Sequence, residues 1–305
     1  MDSENRTLPF GTLVTAMVTP FTEDGAVDYD ATAILANKLV EDGCDGLVVS
    51  GTTGETSTLE DSEKEDLFRV VAETVGGRAK VIAGTGTNHT SHSVEMARRA
   101  ERAGADGQLV VTPYYNKPTQ AGVVAHFDAV TAATDLPVMV YDIPGRAGIA
   151  LSTPTILRLA ENPRILALKD AKADFAAITR VLANTTLDVY AGDDGLTLPW
   201  MAAGAVGVVS VTAHIATEQF RALVDAAAAG DFATARRIHF ELDPLIRAVM
   251  THIPGAVAAK QILAMQKVIP GAAVRLPLVA PDAVEMETIL TDLAEAGMDF
   301  SRNEA

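Results

Sequence analysis

Eight short apolar runs, each soon followed by a stretch with helical spacing, constrain this chain more than any other feature. They are Leu13–Val18, Gly46–Val49, Lys80–Ala83, Gln108–Val111, Pro137–Val140, Ile165–Leu168, Leu187–Ala191 and Val206–Val211. Their β-branched, unalternating pattern is that of strands buried on both faces, as parallel strands are. Helical spacing follows in Asp30–Asp42, where Ile34, Lys38, Leu39 and Asp42 fall on or beside one stripe, and in Ser62–Val75, which carries Leu67, Val70 and Val71. Ser91–Ala103, Ala121–Thr134, Pro154–Ala160, Phe175–Leu182, Leu196–Ala203 and Glu218–Ala229 read the same way. Gly43, Gly104, Gly204 and Gly230 stand where helices would close in the left-handed conformation. Parallel neighbours need crossovers, and eight strand–helix units close naturally into a TIM (β/α)8 barrel; an open doubly wound sheet is the competing topology.

After Gly230 the strand signals stop. Asp231–Thr251, Gly255–Ile269 and Asp282–Ala296 read as three helices, set apart by Pro254, Pro270 and the Pro277/Pro281 pair. The expected organisation is a catalytic barrel over residues 1–232 and a C-terminal three-helix appendage over residues 233–305, packed together rather than tethered.

Charge narrows the partners. With 40 acidic against 24 basic residues the net charge is −16, so nucleic acid and anionic membrane surfaces would be repelled by the average surface. A small anion could still be held by a local site. The one cysteine, Cys44, allows no intramolecular disulfide and no cysteine-rich zinc site, and reads as a small buried hydrophobe. Met1–Arg6 is polar and acidic, unlike a secretory leader, and no long uncharged apolar stretch occurs. The expectation is a cytoplasmic protein with no membrane partner.

In a parallel barrel the chemistry sits at the C-terminal ends of the strands. The second run leads into Ser50-Gly51-Thr52-Thr53-Gly54-Glu55, whose exposed N–H groups and hydroxyls suit a carboxylate or phosphate; the plain alternative is an ordinary turn. The sixth leads into Lys169. A lysine at the inner end of a buried strand loses its ammonium more easily, and the neutral amine attacks carbonyls to form a Schiff base; alone it could simply reach water. Lys172 lies in a polar stretch and reads as a solvated loop residue. The fifth ends in Tyr141-Asp142-Ile143-Pro144-Gly145-Arg146, where a phenol could relay protons and an arginine fork could clamp a carboxylate. The fourth ends in Thr112-Pro113-Tyr114-Tyr115, an aromatic pair whose neighbourhood decides between packing and catalysis. Gly84-Thr85-Gly86 is an incomplete dinucleotide fingerprint, and His89 with His92 lacks a third metal ligand nearby. Asp193-Asp194 reads as a cap for the following helix.

Taken together, these four strand-end motifs fall in order along the chain and resemble the dihydrodipicolinate synthase family, within the pyruvate-dependent class I aldolases and lyases. The resemblance covers nearly the whole chain, from Gly11 to the C-terminal helices. It implies the barrel fold and a condensation of pyruvate with L-aspartate 4-semialdehyde giving 4-hydroxy-tetrahydrodipicolinate, on the diaminopimelate route to lysine. By resemblance, Lys169 forms the imine with pyruvate, with no metal and no organic cofactor. Thr52 and Thr53 hold the pyruvate carboxylate, and Tyr141 passes protons. Thr52 also links Tyr141 to Tyr115 from a neighbouring subunit, Arg146 anchors the semialdehyde carboxylate, and Gly192 and Val209 line the pocket. A homotetramer, a dimer of dimers, is implied.

N-acetylneuraminate lyases and 2-keto-3-deoxy sugar acid aldolases are the alternative within the same superfamily. Asp142 and Gly145 stand where the family often carries Asn and Ser. Many members are inhibited by lysine at a subunit interface that Asn88 and Tyr114 match. Lys64 and His92 replace a His and a Glu common in sensitive members, so weak or absent feedback is expected.

Overall fold

The computed structural model describes residues 8–298 and 300; Met1–Arg6 and the last residues of the expected appendage, 301–305, lie outside the described residues. The strands are β1 Leu13–Ala16, β2 Gly46–Val49, β3 Lys80–Gly84, β4 Gly107–Val111, β5 Val138–Asp142, β6 Ile165–Asp170, β7 Asp188–Ala191 and β8 Gly207–Ser210. They pair in chain order, all parallel, and β1 closes on β8, so the barrel holds and the open doubly wound sheet does not. Around it run α1 Tyr29–Glu41, α2 Asp61–Val75, α3 Thr90–Arg102, α4 Gln120–Thr131, the short α5 Pro144–Ala147, α6 Thr153–Leu159, α7 Phe175–Asn184, α8 Thr197–Ala203 and α9 Ala213–Ala228. The chain continues as α10 Phe232–Met250, α11 Gly255–Met265 and α12 Ala283–Glu295.

Period-two alternation gives the barrel two cores. Val138, Val140 and Leu168 point outward to the helices. Met139, Tyr141 and Ala167 point inward, beside Tyr190 and Val209. The same alternation turns Lys169 inward, two residues beyond Ala167. At the N-terminal end Phe10 is fully buried inside the strand ring. Gly107 admits it: a Cβ there would lie 2.6 Å from Phe10 Cε1. Next to Phe10 in the chain, Gly11 O accepts from the Tyr190 hydroxyl at 2.6 Å.

Several local expectations are corrected. Ile34 does not face the core; it is 59% exposed, and the buried stripe of α1 runs Ala31, Leu35, Leu39. Lys38 and Asp42 instead pair with each other on a half-exposed edge. α9 starts earlier than Glu218, at Ala213, because the chain turns helical directly after β8 and kinks at Ala216 (φ −140°) before continuing. α11 ends at Met265, short of Ile269. The four helix-closing glycines behave as read, with φ of +113°, +85°, +112° and +78° at Gly43, Gly104, Gly204 and Gly230. In the appendage, α10 joins α12 through Arg247 and Asp292 (2.9 Å), and His252 bonds Asp292 at 2.6 Å.

Candidate active site

Strand register assembles the centre. On β5 and β6, Tyr141 lies directly opposite Lys169, and both side chains enter the barrel mouth. Lys169 is 4% exposed, with Nζ 4.4 Å from the centre of the Tyr141 ring, a cation–π distance. Burial draws the Lys169 ammonium down to about 8; the Asp194 carboxylate opposes that shift and the Arg146 charge adds to it. At pH 7 about a tenth of such an amine is neutral, several hundred times the share of an ordinary lysine. Burial pushes the Tyr141 phenol the other way, up to about 12, with Arg146 opposing and Asp193 reinforcing. Tyr141 therefore keeps its proton at neutral pH and can donate it, while Lys169 is poised to attack.

Above this pair opens a cavity of about 430 Å³, lined among others by Thr52, Gly86, Tyr114, Ile143 and Arg146. A narrow recess of about 30 Å³, with Ser50, Thr52 and Thr56 on its walls, leads down to Tyr141. Thr52 is thus shared by both, and Thr53 follows it half-buried in the same loop. Arg146 rides on α5, a single turn started by Pro144 at the tip of β5. Among the described residues no carboxylate lies within ion-pair reach of it, so its fork is available to an incoming anion. Gly192 follows β7 and donates to Asp170 O at 2.7 Å; a Cβ there would stand 2.8 Å from that same oxygen, so only glycine fits. Val209 belongs to the inner cluster with Tyr141 and Ala167.

Tyr115 is not brought to this centre within one chain. It is 88% exposed at a positive φ of 72°, and its neighbour Tyr114 lines the cavity instead. Lys172 is not a solvated loop residue: its side chain is largely buried and Nζ donates to Leu151 O at 3.2 Å. Asp142 is wholly buried and accepts from Leu151 N at 3.2 and 3.3 Å. Burial lifts its carboxyl to about 7, the Leu151 N–H opposes, and Asp170, directly across the β5–β6 register, adds to the rise. Cys44 is buried, bonded to Thr15 Oγ1 at 2.9 Å, and burial lifts its thiol to about 12.

Sequence reasoning missed Asp194. Asp193 does cap the next turn, accepting from Gly195 N at 2.9 Å. Asp194 turns inward instead, and its Oδ2 accepts from Thr212 N (2.8 Å) and Thr212 Oγ1 (2.7 Å), tying the β7 loop to the end of β8. Nothing in a doubled aspartate reveals that the second turns inward toward Lys169 while the first caps a turn. His92 was singled out for its spacing to His89; Nε2 bonds both oxygens of Asp61 at 2.9 Å, and Lys64 is buried 3.7 Å from the same carboxylate.

The family model for the dihydrodipicolinate synthetase family matches residues 9–296. The chain belongs to this family. A 4-hydroxy-tetrahydrodipicolinate synthase of Kineococcus radiotolerans is 53% identical over 95% of this chain and 94% of its own length. A second, from Streptomyces coelicolor, is 51% identical over 96% and 97%. Among solved structures, the family member from Cyanidioschyzon merolae with lysine bound superposes with a TM-score of 0.93 at 39% identity, covering 96% of this chain and all of that one. The dihydrodipicolinate synthase of Bacillus anthracis gives 0.90 at 41%, covering 93% and 98%.

Proposed function

We propose that this chain condenses pyruvate with L-aspartate 4-semialdehyde to give 4-hydroxy-tetrahydrodipicolinate, using an imine on Lys169 and no other cofactor. The observation that carries this reading is the buried, easily neutralised Lys169 against the face of the Tyr141 ring, with Tyr141 lining a recess that shares Thr52 with the cavity bordered by Arg146. Synthase relatives at half identity over nearly the full length support the substrates.

The chemistry follows from the groups present. Neutral Lys169 attacks the pyruvate ketone; protons from Tyr141 let the carbinolamine lose water and leave an imine. The imine is an electron sink, so the pyruvate methyl gives up a proton and the enamine attacks the aldehyde carbon. The amino group of the joined chain then attacks the imine carbon and displaces Lys169, which closes the ring. Thr52 and Thr53 are the hosts of the pyruvate carboxylate, Arg146 of the second carboxylate, and Gly192 and Val209 line the pocket. Thr52 also hands protons between Tyr141 and Tyr115 of a neighbouring copy. The exposure of Tyr115 supports that assembly, read here as a homotetramer working in the cytoplasm.

Borohydride reduction in the presence of pyruvate, followed by peptide mapping, tests the mechanism: the adduct is expected on Lys169 and nowhere else, and its absence there overturns the reading. A coupled assay offering the semialdehyde or N-acetylneuraminate then separates synthesis from sugar-acid cleavage. Feedback is expected to be weak, since Lys64 and His92 place positive or neutral groups on Asp61 where a cationic effector needs free carboxylates. Strong inhibition by sub-millimolar free lysine contradicts this.

A further inference from the structure

The loop that carries Thr52 and Thr53 ends at Glu55, and Glu55 is peculiar twice over. Its backbone sits in the left-handed region (φ 57°, ψ 37°), which costs a residue with a side chain about 1 kcal/mol. Its carboxylate is also buried, 1% exposed, beneath the C-terminal region. There Lys260 of α11, itself fully buried, pairs with Oε1, and Arg275 N donates to Oε2 at 2.9 Å. Lys260 Nζ is further fixed by Ala273 O at 2.9 Å and by the Phe21 ring at 3.9 Å. Arg275 in turn reaches Glu63 at 2.6 Å, Thr58 O at 2.7 Å and Gly25 O at 2.9 Å.

These contacts surround the substrate loop without touching the cavity. Glu55 N donates to Thr52 O at 3.1 Å, and Thr56 N to Gly51 O at 3.3 Å. A backbone shift at Glu55 therefore strains the hydrogen bonds to the peptides of Gly51 and Thr52. The chain could satisfy Glu55 by letting it swing to water, which is the cheaper fate of an isolated carboxylate. Burying it instead demands a cation and an N–H at fixed points, and both come from beyond residue 250.

We propose that Glu55 is a positioning residue for the pyruvate-carboxylate loop, locked by Lys260 and Arg275, so that the appendage sets the affinity for the first substrate and not for the second. This rests on the reading of Thr52 and Thr53 as hosts of the pyruvate carboxylate. Arg146, on the β5 loop, is outside the lock, so the semialdehyde serves as an internal control.

The test compares Lys260→Met with the parent protein, titrating pyruvate in the borohydride trap at Lys169 and measuring KM for each substrate. Half-saturating pyruvate is expected to rise roughly tenfold, the scale of a sub-ångström misplacement of a binding group, with KM for the semialdehyde unchanged. A brace with no positioning role would lower the yield of folded enzyme and leave both values alone, and that result overturns the proposal. Because Lys260→Met strands a buried carboxylate, the double variant Glu55→Gln/Lys260→Met is measured too; removing both charges should restore the melting temperature. Half-saturating pyruvate is expected to stay raised in the double variant; its return to the parent value alongside the melting temperature contradicts the lock. Failure of the parent protein to form the Lys169 adduct defeats the underlying site reading, and is told apart by appearing before any substitution is made.

Discussion

The two ends of this barrel are built to different rules. At the N-terminal end charges are satisfied in place. Asp45 accepts from Thr12 N (2.8 Å), Thr12 Oγ1 (2.7 Å), Leu13 N (3.0 Å) and Arg221 Nη1 (2.9 Å), and Asp106 holds Lys80 at 3.0 Å. Where the turns from helix to strand need a left-handed residue, as at Gly43, Gly76, Gly104 and Gly204, glycine supplies it at no steric cost. At the C-terminal end the left-handed positions include Ser50, Glu55, Tyr115, Lys117 and Ala173, each carrying a side chain and a cost of about 1 kcal/mol or more. Lys169 is buried there with no hydrogen-bonding carboxylate among the described residues. One end spends its contacts on holding the ring closed, and the other keeps strained backbone and underpaired groups ready for a ligand.

The contrast predicts opposite responses to substitution. Lys169→Met should lower turnover at least about a thousandfold while leaving the melting temperature unchanged or higher, because it removes a buried, unpaired amine. Asp45→Ala should do the reverse, costing about 2–4 kcal/mol in a denaturant titration while the folded enzyme keeps both KM values. A stability loss at Lys169, or a kinetic defect at Asp45, would erase the distinction between the ends.

A smaller effect sharpens it. The Asp194 carboxylate favours the Lys169 ammonium, so Asp194→Asn should lower that lysine further. Imine formation rises with pH as the amine loses its proton, with a midpoint expected at about 8 in the parent protein. The variant's midpoint should fall, making trapping faster at pH 7 and unchanged at pH 9. A midpoint that stays or climbs rules out Asp194 as the opposing charge.

How far the sequence could be read depended on the range of the signal. Strand positions, helix-closing glycines and the placing of Lys169 at the inner end of its strand are local consequences of period and run length, and the structure reproduces them. Ile34 misled because an amphipathic stripe can be drawn through several residues when the polar ones are long; Ala31, Leu35 and Leu39 were the better set. Lys172 looked solvated because its sequence neighbours are polar, yet Leu151 O reaches it from another loop. The Glu55–Lys260 pair spans 205 residues and leaves no mark at either position. For Thr53, Tyr115 and Arg146, resemblance rather than local pattern carried the assignment, since a threonine or an arginine on a loop is compatible with almost any role.

Among the described residues, Phe10 and Tyr190 fill the barrel toward its N-terminal end, so the cavity at the C-terminal ends of the strands is the approach to Lys169 that the proposed reaction would use. In the proposed reaction, pyruvate, the water expelled as the imine forms, the semialdehyde and the ring product would all pass through that cavity. Sharing one cavity would impose a queue. A semialdehyde that arrived first would stand between Lys169 and the outside and shut pyruvate out. Under the proposed mechanism, a pyruvate bonded to the lysine would not be swept away as water departs, and the cavity bordered by Arg146 would stay available to the next arrival. The covalent bond, on this view, is also what keeps the first guest in place while the corridor is used by others.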